Sequence, residues 1–218
     1  MQFISLGRHC YIAYNIKKYI NNDTPTQFFD WVRTDFKCVL HILNLTYIES
    51  IFNIENLNLD TSMFKIDGEL TITLKNFERE NLVLLFHHEI QLCDYYSSEV
   101  DNKLIEFIDK YKRRFNRLIE LIKSNKRICF IYSVTNGFDY ENDIDHFDNI
   151  LKLINKEVNY CLVILIEEPV EETEKIMRHK KYLKINLSYF IDKQIETDWD
   201  RPEIDWKSIF ELIQIRAF

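Results

Sequence analysis

Residues 3–10, Phe3-Ile4-Ser5-Leu6-Gly7-Arg8-His9-Cys10, pass from an apolar run through a glycine into two basic side chains and a cysteine. The run reads as a short buried strand, Phe3 to Leu6, that ends at Gly7. A helix from Cys10 to Ile20 follows, because Ile12, Ala13, Ile16 and Ile20 recur on one face. A buried strand turning at glycine into an amphipathic helix is the opening unit of an α/β sheet.

The rest of the chain repeats that unit. Apolar strands are predicted at Leu82–Phe86 (the central one), Ile128–Val134, Cys161–Ile166 and Lys181–Leu187. Helices are predicted over Phe36–Ile51, Asn102–Lys123, Phe147–Ile154 and Ile204–Ile215. The clearest carries a stripe of Leu104, Ile105, Ile108, Tyr111, Phe115, Leu118, Ile119 and Ile122. Alternation of this kind predicts a three-layer α/β fold: a mostly parallel sheet with helices on both faces, in one domain over residues 1–218. Asn21 to Pro25 reads as a turn. Residues 52–77 are less regular, and Asp67-Gly68 between alternating segments predicts a small antiparallel hairpin insertion there.

Composition narrows the function classes. With 218 residues, 46% hydrophobic and 29% charged, the chain can build one sizeable core under a charged surface. Three glycines and three prolines are too few for an all-β protein of tight turns. A net charge of −7 argues against nucleic acid or an acidic membrane as partner. No basic segment opens the chain as in a signal peptide, and no apolar stretch approaches the roughly 20 residues of a membrane span. The five cysteines are widely spaced with no CxxC pair, which predicts reduced thiols in a cytoplasmic compartment. Cys129 and Cys161 sit in apolar runs and read as small core residues.

In a parallel sheet, ligands bind at the rim formed by strand C-termini and helix N-termini. That rule gathers Gly7 to Cys10, His87 to Glu89 and Ser133 to Gly137. Cys10 is the candidate nucleophile, since a helix start, with Arg8 and His9 beside it, favours a thiolate. The same helix N–H groups can hold an oxyanion. The alternative is a cysteine that fills a gap beneath the helix. His87 or His88 is the candidate base; strand alternation points one ring to the core and the other to the rim, and Glu89 next to His88 favours His88. Asp30, within Phe28-Phe29-Asp30-Trp31, either orients that histidine or caps its turn. Lys110, Arg113, Arg114 and Arg117 share one helix edge, as a solvated basic face or as a phosphate contact. His9, His87, His88 and Cys10 lack ligand spacing within any one element, so no metal or cofactor is expected.

Four blocks occur in order: Ser5-Leu6-Gly7-Arg-His-Cys10, Phe29-Asp30-Trp31, the His-acid pair after a strand, and Lys110-Tyr111-x-Arg113-Arg114-x-x-Arg117-Leu118. Together they resemble domain-of-unknown-function family 1796, described as papain-like cysteine peptidases, with members in bacteria and large DNA viruses. The resemblance spans roughly residues 4 to 134. It implies Cys10 as nucleophile, His87 or His88 as the histidine and Asp30 as the acid, acting in the host cytoplasm if the chain is viral. A papain arrangement carries its histidine on a largely antiparallel β-domain, whereas the alternation here predicts a nucleophile at a parallel-sheet turn, as in esterases and acyltransferases. Three functions follow. One is a thiol hydrolase or acyltransferase using Cys10 on a peptide or acyl substrate, with Gly7, Arg8 and His9 lining it. Another is a carbohydrate- or nucleotide-related transferase that binds phosphate through Arg113, Arg114 and Arg117. The third is a non-catalytic interaction protein on an enzyme-like scaffold.

Overall fold

The fold is described from a computed structural model. It describes residues 1–20, 25–45, 47–60, 69–134, 140–167, 175–179, 182–192 and 194–217, with Asp60, Glu69, His88, Leu92, Asp94, Tyr140 and Glu141 described in their backbone alone. The expected Asp67-Gly68 turn, the Asn136-Gly137 loop, Lys181 and most of the Asn21–Pro25 turn lie outside these residues.

The first half runs β1 (Gln2–Ser5), α1 (Cys10–Tyr19), β2 (Val32–Thr34), α2 (Phe36–Leu43), β3 (Leu57–Asp60), β4 (Glu69–Leu74), α3 (Lys75–Arg79), β5 (Leu84–Gln91) and α4 (Leu92–Tyr95). The second runs α5 (Val100–Lys123), β6 (Ile128–Val134), α6 (Tyr140–Ile154), β7 (Tyr160–Ile166), β8 (Ile176–Arg178), β9 (Tyr182–Asn186) and α7 (Trp206–Arg216). Two sheets result. One has the order β1-β6-β7-β9-β8, parallel except for β8, and the other is antiparallel in the order β2-β5-β4-β3.

The parallel sheet is apolar on both faces because alternate residues serve different cores. Ile4, Ile128, Phe130, Tyr132, Leu162 and Ile164 join one cluster with α2, α5 and α6. Phe3, Cys129, Ile131, Cys161, Val163 and Leu165 join another with α1 and α7, through Ile12, Ile16, Trp206, Phe210 and Ile213. The continuous apolar runs of β6 and β7 are therefore explained strand by strand. The first cluster also takes in Ile72, Leu74, Leu84 and Phe86 of the antiparallel sheet. Phe86 packs edge-on against Tyr111 of α5 at 4.5 Å between ring centroids.

Three expectations are corrected. Leu82–Phe86 is not the central strand of the parallel sheet: β5 pairs antiparallel with β2 and β4. Its apolar run misleads because Leu84 and Phe86 are buried, whereas Val83 is exposed and Leu85 only half-buried. Within residues 52–77, β3 and β4 pair antiparallel, but as the outer half of a four-stranded sheet rather than as an isolated insertion. The helix expected to reach Ile51 stops at Leu43, where Asn44 takes the cap, and short 3-10 turns carry Ile48 and Ile51 into the core at similar spacing. No helix among the described residues is long and apolar enough to cross a membrane.

Candidate active site

The turn between β1 and α1 is built by two left-handed residues, Gly7 at φ +85° and Arg8 at φ +71°. Gly7 N–H donates to Ser5 Oγ at 3.2 Å. A Cβ at Gly7 would sit 2.4 Å from the Thr34 methyl and 3.2 Å from the Val32 carbonyl. Glycine is therefore needed twice: for the backbone angle and for the close approach of β2. Cys10 opens α1 half-buried, with no acidic side chain in the helix's first turn. Cys38, Cys129 and Cys161 are buried, and burial pushes their thiols up, to about 11 for Cys161. Cys93 is exposed on α4.

β2 carries the site from one sheet to the other. Its Val32 and Thr34 touch Gly7, and its rungs Val32↔Phe86 and Thr34↔Leu84 fix β5 beside it. Asp35, the N-cap of α2, accepts from Cys38 N–H at 2.6 Å and from Val83 N–H at 3.0 Å, which ties the start of β5 to the same turn. β5 continues past its last rung with β2, Val32↔Phe86, into His87 and His88. They come from inside a strand of the antiparallel sheet; the expected placement of His87 to Glu89 on the parallel-sheet rim is corrected.

That part of β5 is irregular. Between the rungs Ile72↔Phe86 and Leu70↔Ile90, β4 contributes Thr71 alone while β5 contributes His87, His88 and Glu89. The bulge breaks strict alternation and re-aims side chains, a device common beside active sites. His87 is 9% exposed, with Nδ1 3.0 Å from Thr71 Oγ1. Glu89 turns instead to α5, where it accepts from Tyr111 Oη at 2.8 Å, pairs with Lys110 and lies 4.0 Å from Arg114. Glu89 is thus committed to α5.

Asp30 is 5% exposed and accepts from Gln27 N–H at 2.8 Å, closing its own turn. Burial pushes its carboxyl up to about 6, opposed by the Gln27 N–H, Lys17 and Arg114. The Gln27 bond is the contact that a turn cap would make. The basic edge of α5 is largely spent inside the protein. Lys110 binds Glu89, Arg114 stacks over Tyr111 at 4.8 Å, and Arg117 donates to the Thr26 carbonyl at 2.8 Å. Arg113 lines an open cleft of about 390 Å³ with Glu89, Lys103, Glu106 and Lys110.

The rim of the parallel sheet holds a constellation that local patterns did not single out. Glu167, immediately after β7, accepts from Tyr11 Oη at 2.6 Å and from Ser133 Oγ at the end of β6. His9 Nε2 lies 3.3 Å from the same carboxylate, and Arg201 Nη1 lies 3.6 Å from its other oxygen. Arg201 also pairs with buried Glu203. The His9 ring stacks on Tyr11 at 5.2 Å and 11°. Burial holds the His9 imidazole below its ordinary range; Glu167 opposes this, while Arg8, Arg33 and Arg201 reinforce it. Arg8 also bonds the Tyr132 hydroxyl, which donates to the Thr34 carbonyl at 3.3 Å. Ser133 was predicted on this rim. Glu167 and Arg201 were not, because their partners lie far away in sequence. Among the described residues no cluster of His, Cys, Asp and Glu could hold a metal.

Comparison with known proteins agrees with the block order. Residues 1–167 match the family described as "Putative papain-like cysteine peptidase". An uncharacterized protein of Acanthamoeba polyphaga mimivirus, R408, is 25% identical over 221 residues, covering 95% of this chain and 96% of that protein. No solved structure matches. A family model that matches residues 1–167, most of the chain, makes one assignment: the chain belongs to domain-of-unknown-function family 1796.

Proposed function

We propose that the chain is a thiol-dependent hydrolase or acyltransferase with Cys10 as its nucleophile and a β5 histidine, His88 or His87, as its base. The observation that supports this reading is the close approach of Gly7, just before Cys10, to β2, the strand that pairs with β5 up to Phe86, the residue before His87. The family description supports the peptidase form of this reading, with a peptide as substrate. Separate cores on the two faces of the parallel sheet support a frame that is a single three-layer α/β domain with the antiparallel sheet docked at one side.

In this reading the histidine takes the Cys10 proton and the thiolate attacks a carbonyl carbon. N–H groups at the start of α1 stabilise the oxyanion. The intermediate collapses to a thioester as the leaving group takes the proton from the imidazolium. Water, or another acceptor in a transferase, then releases the acyl group. Asp30 acts at one remove, closing the turn that leads into β2. Five free thiols suit a reducing, cytoplasmic setting.

The test is alkylation of the native protein with iodoacetamide, mapped residue by residue. Cys10 is expected to react below pH 7 at least about tenfold faster than exposed Cys93, an activation of about one pKa unit. Labelling of Cys10 no faster than Cys93, or full hydrolytic activity in Cys10→Ala, removes the nucleophile role.

A further inference from the structure

The cluster around Glu167 is absent from the triad proposed above, yet it reaches the residue that immediately precedes Cys10. Three elements converge on one carboxylate: the start of α1 through His9 and Tyr11, the end of β6 through Ser133, and the segment before α7 through Arg201. Glu167 itself follows the last residue of β7, at the C-terminal rim of the parallel sheet. A carboxylate brought in with four partners is built into the fold.

The His9 ring is fixed in two ways at once. Its face stacks on Tyr11 and its Nε2 edge meets Glu167. A ring held through one nitrogen by a carboxylate has its tautomer set, with the proton on Nε2 and the lone pair on Nδ1. His9 is the N-cap of α1 but its side chain makes no capping bond, so helix capping does not account for this imidazole. It is half-exposed, whereas Glu167 beneath it is mostly covered.

We propose that Glu167 is a positioning residue for His9, and that His9 exchanges protons at the Cys10 site. The proposal rests on Cys10 being the reactive thiol and takes His9, in place of a β5 histidine, as the group that accepts its proton. His9 Nδ1 accepts the thiol proton as the thiolate forms, and Glu167 stabilises the resulting imidazolium. When the acyl–sulfur bond forms and the leaving-group bond breaks, the same proton passes to the leaving group. Charges facing His9 are Glu167 on one side and Arg8, Arg33 and Arg201 on the others. Burial disfavours the imidazolium most, the three guanidinium groups add to it, and the carboxylate is the charge that opposes them. Arg201 brings a chain segment beyond the family match into the same cluster.

The experiment is the pH profile of Cys10 alkylation by iodoacetamide in the full chain. The wild type is compared with His9→Gln, Glu167→Gln, Glu167→Asp and His88→Gln, with melting temperature read on each. The expected result is a loss of about tenfold in the Cys10 rate at pH 6 relative to pH 9, in both His9→Gln and Glu167→Gln. Glu167→Asp recovers part of it, and His88→Gln moves the profile less. Gln at 167 keeps an acceptor for Tyr11 and Ser133, so a purely structural role leaves the profile in place and moves only the melting temperature. Should Glu167→Gln fail to fold, His9→Gln decides alone. Profiles of His9→Gln and Glu167→Gln that superimpose on the wild type overturn the proposal. If Cys10 is instead unreactive in the wild type, it is the nucleophile reading that has failed.

Discussion

Replacing Gly7 with alanine tests the joint between the two sheets. The backbone there is at φ +85°, and the new methyl carbon would lie 2.4 Å from the Thr34 methyl. The left-handed angle costs an L-residue about 1–2 kcal/mol. Relieving a contact more than about 1 Å too short, in a buried layer, costs about 1–3 kcal/mol more. A loss near 3 kcal/mol is expected, or roughly 6–12 °C in melting temperature for a chain of this size. The two costs separate in a double-mutant cycle with Thr34→Ser, which removes the obstructing methyl but keeps the hydroxyl that donates to the Asp35 carbonyl at 3.1 Å. Urea unfolding of the four proteins should show a favourable coupling of about 1–2 kcal/mol, the packing cost, while the angular cost persists. Additivity within about 0.5 kcal/mol, or a Gly7→Ala loss below about 1 kcal/mol, would refute the close packing of the β1–α1 turn on β2.

Two further outcomes concern the charged interior beneath that joint. Asp30 has a folded-state pKa raised to about 6, against about 3.9 unfolded, so the native state binds the extra proton. Its contribution is full below pH 4 and is lost as pH rises from 4 through 6, by at most about 3 kcal/mol. The difference in unfolding free energy between wild type and Asp30→Asn should therefore change between pH 4.5 and pH 7.5; a constant difference contradicts the burial of this charge. Arg114 lies against Tyr111 and near Glu89 and Asp30, so Arg114→Met leaves two buried carboxyls short of a cation and should cost about 3 kcal/mol by urea unfolding. Lys110→Met, at a more exposed partner of Glu89, should cost less, and a reversed order counts against Arg114 as the internal counter-charge.

Legibility in the sequence followed burial geometry. Strands β1, β6 and β7 and helices α1 and α5 were readable because their apolar spacing is one- or two-sided burial written directly into the chain. β2 was not, since Val32-Arg33-Thr34 is too short for periodicity and has an exposed arginine at its centre. β5 was readable as a strand but not as a member of the second sheet; pairing direction leaves no local trace, and the bulge at His87–Glu89 arises from a mismatch with β4. Cys10 at the helix start was readable. Asp30 leaves two roles open in the sequence, and its bond to Gln27 N–H, a local contact, matches the cap. Glu167 and Arg201 look like ordinary surface charges locally, and their significance comes from meeting His9 across 158 and 192 positions (167 − 9 and 201 − 9).

The second sheet changes what the family resemblance implies. Histidines at the rim of the parallel sheet would make the site like that of an esterase, with nucleophile and base on strands of one sheet. His87 and His88 lie instead on a strand of an antiparallel sheet, which is where the resemblance to a papain arrangement led one to expect the histidine. The difference lies in how the cysteine helix is held. On one side Gly7 packs against β2. On the other, Asn15 donates to the Asp200 carbonyl at 2.8 Å, Lys18 pairs with Asp200, and Trp206 and Phe210 complete the core under α1. These contacts come from residues 200–210, beyond the stretch that carries the family match. The C-terminal part is therefore structural for the site: it supplies half of the clamp on α1 and the arginine that shares Glu167 with His9.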